Sequence, residues 1–155
     1  MDDWKVFSFW VDGDAVPQGS KVLMRPKNSP RTIMLDHNHD RLASWRADVR
    51  VVAEQSYPDP PYAGPVTLRL DFYRNRPASH FGRRQGQPYL KDGQPPFPFA
   101  GGDVDKLSRA MLDAMTGSVY LDDSQVVNLQ ARKWFCSEDN PLPGAYVTVG
   151  LGVKP

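Results

Sequence analysis

The stretch that decides the reading is Gly101–Gln125, GGDVDKLSRAMLDAMTGSVYLDDSQ. Val104, Leu107, Met111, Ala114 and Met115 recur at helical spacing, Asp103 stands at the N-cap position, and Gly117 supplies a C-terminal stop. The stretch predicts an amphipathic helix that starts between two aspartates, Asp103 and Asp105. A second acidic pair, Asp122 and Asp123, follows and leads into a strand over about Gln125–Phe135, where Val127, Leu129 and Ala131 alternate with Asn128, Gln130 and Arg132.

Carboxylates gathered around one helix-to-strand connection point to hard divalent cations. Magnesium takes about six oxygen ligands, typically one or two carboxylates with waters and substrate phosphate. Asp103 and Asp105 can share an ion only if Asp103 lies outside the helical turn, because residues two apart in a helix face different ways. Asp122 and Asp123, if extended, face opposite sides, so only one of them joins such a site. The competing reading of Asp-x-Asp alone is a plain helix cap. The second acidic pair one helix later weighs against it, since carboxylates that repel one another need a cation between them.

Upstream, Val6–Val11 predicts a strand ended by Asp12-Gly13-Asp14, and VPQGSKVLMRPKNSPRTIML predicts two short strands around a loop tipped by Asn28-Ser29-Pro30. Leu42, Trp45, Val49, Val52 and Ala53 place a helix over about His39–Gln55, closed off by Pro58, Pro60 and Pro61. Val66, Leu68, Leu70 and Phe72 alternate within a strand over Pro65–Tyr73. Residues 74–102 carry no periodicity and read as a basic, mobile loop at about 75–101. SEDNPLPG is a turn, and Ala145–Val153 is a last strand. The expected fold is α+β (or α/β): one domain over residues 1–155, with a small mixed sheet and two main helices packed on it.

At 155 residues the chain is large enough to bury a core without staples, and its one cysteine, Cys136, excludes an internal disulfide. The N-terminus MDDWK lacks a signal peptide's apolar stretch and no run is long enough to cross a bilayer, so a cytoplasmic protein without a membrane partner is expected. Net charge is +1, but its distribution is uneven. Arg69–Lys91 holds six basic residues against Asp71 alone, Lys21–Arg50 holds seven against three acids, and Asp113–Asp139 is net acidic. Basic flanks around an acidic centre fit a protein that attracts a polyanion and binds metal beside it. Lys21, Arg25, Lys27 and Arg31 on the hairpin and Arg74, Arg76, His80, Arg83 and Arg84 in the loop are the candidate DNA contacts. Phe81, Tyr89, Phe97 and Phe99 offer surfaces for bases to stack on. His37-Asn38-His39 lacks further ligands for zinc and suits a helix start. Trp4, Trp10, Trp45 and Trp134 are expected in the core or a dimer interface.

The run GGDVDKLSRAMLDAMTGSVYLDDSQV resembles the signature of the RusA-like Holliday-junction resolvases, endonucleases of phage and prophage recombination. RNRPASHFGRR and GDAVPQGSKVLMRP are similar to two further segments of that family. The resemblance implies a RusA-like fold and a homodimer that binds branched DNA, the four-way junction, and makes paired nicks with Mg2+, or Mn2+ in its place, in a bacterial or phage-infected cell. It also implies catalytic and metal-binding roles for Asp103, Asp105 and Asp123. The family's lysine falls on Arg109 and its usual Asn on Lys106. Arginine clamps phosphate but does not readily release a proton, so Lys106 and Arg109 together are expected to do that lysine's work. The alternatives are a junction-binding protein of the same fold without cleavage and a manganese-dependent nucleotide-sugar transferase. The second lacks a nucleotide-binding βαβ pattern here.

Overall fold

The computed structural model describes residues 4–152 except residues 20 and 37. Strands β1 (Lys5–Asp12), β4 (Val66–Arg74), β7 (Val126–Phe135) and β8 (Gly144–Leu151) form one four-stranded sheet in the order β1-β8-β4-β7. β8 runs antiparallel to both β1 and β4, whereas β4 and β7 are parallel. A parallel pair needs a long crossover, and helix α2 (Val104–Met115) lies within it. Helix α1 (His39–Ser56) follows the separate hairpin of β2 (Lys21–Met24) and β3 (Ile33–Asp36). The protein has an α+β fold.

Alternation decides which face of the sheet is covered. Val66, Leu68, Leu70 and Phe72 of β4 are paired with Leu151, Val149, Val147 and Ala145 of β8, and all eight are buried. Leu42, Trp45, Val49 and Ala53 of α1 and Leu107, Ala110, Met111, Ala114 and Met115 of α2 complete that core. The predicted helices agree closely with these, except that Val104 is exposed. On the opposite face Asp71 is buried between neighbours, accepting from Arg69 Nε at 2.9 Å and from Trp134 Nε1 at 2.8 Å.

The aperiodic loop is more ordered in design than its sequence suggested. Ala78–His80 forms a 3-10 turn, and β5 (Phe81–Arg84) pairs with β6 (Gln87–Leu90) as an antiparallel hairpin. Gln85 (φ +49°) and Gly86 (φ +80°) make its two-residue turn, the geometry that matches strand twist. Periodicity missed these strands because every residue in them except Gly82 is exposed, so no buried face imprints a pattern.

Candidate metal and DNA-binding site

Asp103 sits at the N-cap position of α2 in extended conformation (φ −71°, ψ 143°), yet its side chain makes no capping hydrogen bond. Its carboxylate is 70% exposed and lies 3.3 Å from Lys106 Nζ. Asp105, in the first turn, is exposed and belongs to no ion pair among the described residues, although Arg109 stands four residues on. The entrance of the helix therefore presents two carboxylates and a lysine beside unpaired backbone amides, which favour a phosphate nearby.

Why does the helix begin here? Gly101 (φ +88°) and Gly102 (φ +101°) turn the chain into it through conformations that side-chain-bearing residues avoid. The approach is also close. A Cβ on Gly102 would meet Pro17 Cγ at 2.8 Å, and one on Gly101 would meet Arg74 Cδ at 2.7 Å. Lys133 of β7 donates to the carbonyls of Gly102 (3.0 Å) and Phe99 (3.3 Å), and the Gln18 amide donates to the Lys106 carbonyl at 3.1 Å.

The second acidic pair divides its labour. Asp122 caps the 3-10 turn Asp123–Gln125: its carboxylate accepts from the Ser124 amide at 2.9 Å, while the Gln125 side-chain oxygen accepts from the Asp122 amide at 2.9 Å. The Ser124 hydrogen bonds hold the Asp122 carboxyl below its ordinary range. Gln125 also donates to the carbonyls of Tyr62 and Gly64, fixing the turn to the start of β4. Asp123 is left exposed and uncapped. Sequence geometry left the choice between the two open; the cap selects Asp123 as the spare carboxylate.

The three aspartates do not converge within one chain. Asp103 lies at the end of α2 that Lys133, near the end of β7, holds in place. Asp123 lies at the other end, where Tyr62 and Val119 join the start of the sheet to the chain leaving the helix. Twelve helical residues at 1.5 Å each put roughly 18 Å between these ends. Accordingly, among the described residues no three His, Cys, Asp or Glu side chains are grouped to hold one ion. Asp103 and Asp105 by themselves still suit magnesium, which is content with one or two carboxylates when phosphate supplies the rest. Arg109, also on α2, is exposed.

Of the expected DNA contacts, Arg25, Lys27, Arg31, Arg83 and Arg84 are exposed, while the side chain of Lys21 lies outside the described residues. Arg76 instead lies over the Phe135 ring, 4.1 Å from its centroid, and donates to Pro95 O at 3.0 Å. Arg74 is half-buried and donates to Ala15 O at 2.5 Å. His80, another of the candidate contacts, is half-buried against the edge of Phe135, and its Nδ1 is buried without a partner. His39 opens α1 and contacts Asp40, in line with a helix-start role; His37 lies outside the described residues. Of the tryptophans only Trp45 is buried; Trp4 is exposed and Trp10 and Trp134 are half-buried. Cys136 is half-buried, and desolvation raises its pKa.

A family model described as endodeoxyribonuclease RusA matches residues 13–149. The chain is also 32% identical over 132 residues to a Bacillus subtilis (strain 168) protein described as uncharacterized protein YqaN, spanning 84% of this chain and 88% of that one. The match encloses the α2 entrance, the capped acidic turn and the hairpin before them, and the chain belongs to the RusA endodeoxyribonuclease family.

Proposed function

We propose that this nuclease resolves four-way DNA junctions by metal-dependent phosphodiester hydrolysis, working as a homodimer with Mg2+ or Mn2+. Family membership supports endonuclease action on Holliday junctions. The observation that carries the metal assignment is the pair of uncapped carboxylates at the start of α2, with Asp123 released from capping by Asp122. Asp103 and Asp105 would hold the cation. When bound, it lowers the pKa of a coordinated water toward neutrality and neutralises charge on the phosphodiester. Lys106 and Arg109 would hold non-bridging phosphate oxygens, with Lys106 the group able to give a proton to the departing oxygen.

The distance from Asp103 to Asp123 argues for the dimer. β7 is an edge strand whose Val127 and Leu129 are 61% and 42% exposed. Open apolar edges invite pairing with another chain. Antiparallel pairing of two β7 strands about a two-fold axis would set the α2 entrance of each chain beside the acidic turn of its partner. Asp123 would then complete the site of the other protomer.

The test is incubation of purified protein with a labelled four-way junction, with and without Mg2+. Nicks that need the metal and vanish in Asp105→Asn are expected. Binding without nicks would leave the second reading, a junction-binding protein that does not cut.

A further inference from the structure

A cavity of about 470 Å3 opens where the ends of β4 and β7 meet the loop leading to α2. Its rim includes Gly101, two residues before Asp103. The volume falls in the range of small-molecule sites, about 300–1,000 Å3. The walls are flat and apolar, from Pro77, Pro95, Pro98, Phe99 and Phe135. Against them stand charged groups: Arg41, Arg74 and Asp14. No ion pair among the described residues satisfies any of these three.

Two buried donors or acceptors in this lining are unmatched. Arg74 Nε and His80 Nδ1 are both sealed from solvent without a hydrogen-bond partner. Buried polar groups in native proteins are nearly always paired, so Arg74 and His80 are uncompensated polar groups behind the cavity wall. Phe99 is 80% exposed, so its ring is accessible to a ligand in the cavity that it lines. Flat apolar walls with cationic groups at the margin are what a single nucleotide needs: stacking surface for the base, and positive charge for its phosphate. A base still paired in a duplex cannot enter such a space. An unpaired one at a branch point enters at least cost, because extrusion is cheapest where pairing is already lost.

We propose that this cavity takes one unpaired nucleotide of the branched DNA, its base between Phe99, Phe135 and the prolines and its phosphate on Arg41. The inference rests on the junction-nuclease reading and deepens it. The nucleotide captured lies beside the bond to be cut, so the cavity would set where the cut falls.

The experiment uses four-way junctions carrying 2-aminopurine at each position around the crossover in turn, with the protein in EDTA. A severalfold fluorescence rise is expected at one position in each symmetric arm pair. Ala100→Trp fills the cavity from its wall and Phe99→Ala strips its stacking surface; both should abolish the rise, with folding checked by circular dichroism. An abasic nucleotide at the responding position should cost at least tenfold in cleavage-site preference. If the junction binds tightly but no position responds, or the rise survives both substitutions, the cavity does not take a base. If no branched DNA binds at all, the junction reading itself fails and this inference with it.

Discussion

Lys133 Nζ, near the end of strand β7, donates to the carbonyl of Gly102 at 3.0 Å. One side chain thus fastens the entrance of α2 to the end of the strand that begins beside Asp123. The two halves of the acidic constellation are held apart, at opposite ends of α2.

That separation predicts complementation between inactive variants. Asp105→Asn and Asp123→Asn should each abolish junction cleavage alone. Co-refolded together, they should regain nicking without paired cuts, because a mixed dimer has one site with both substitutions and one with neither. A cruciform plasmid reads this directly as nicked circles with little linear product. Failure to recover any nicking would refute a site shared between protomers.

The entrance itself can be loosened without touching a carboxylate. Lys133→Met removes two carbonyl partners and should cost about 1 kcal/mol in denaturant unfolding. Gly102→Ala should cost more than about 1 kcal/mol, since it combines φ +101° with a 2.8 Å approach to Pro17. Both should raise the Mg2+ concentration needed for half-maximal cleavage. A metal requirement equal to wild type would separate the loop anchor from the metal site.

Lys106 and Arg109 differ in what they can do. Lys106→Ala should reduce cleavage more than Arg109→Ala, and the double variant should reduce it further, with four-way-junction binding largely retained. If both single variants cleave as wild type, the two do not replace the family's lysine.

Tyr120 is completely buried, and its hydroxyl donates to the Leu112 carbonyl at 2.9 Å. Burial raises its pKa well above 10.0, with the nearby Asp123 and Asp113 carboxylates adding to the shift. The folded state therefore holds this proton more tightly than the unfolded chain. Its contribution is fully present below 10.0, the unfolded value, and is lost as pH rises from there toward the folded pKa. Stability by urea unfolding should fall as pH rises above about 10, more steeply than in Tyr120→Phe. Identical slopes would show that Tyr120 is not responsible. Tyr120→Phe should also cost about 1 kcal/mol near neutral pH through the lost hydrogen bond.

The core is the least forgiving region. Leu107, fully buried on the inner face of α2, should cost about 2–5 kcal/mol on truncation to alanine. Val104, on the same helix but exposed, should cost little; equal losses would mean that the buried face has been misplaced.

Much of this protein was legible in residues alone, and for a consistent reason. Wherever one side of an element is buried, periodicity records it: α1, α2, β4 and β8 carry that imprint, as does the glycine stop at Gly117. The hairpin of β5 and β6 left none, because it is exposed on both faces and rests on Gln85-Gly86 and its backbone pairing. The sequence supplied the acidic residues and the family likeness, but three matters were settled only in three dimensions. The Ser124 amide occupies Asp122 and frees Asp123. Lys133 and Tyr62 hold opposite ends of α2, so the carboxylates lie at separate ends of that helix in one chain. His80 and Arg74 close around a cavity that no local pattern marks. Local order follows from spacing along the chain; convergence depends on which distant segments hydrogen-bond to one another, and spacing does not encode that.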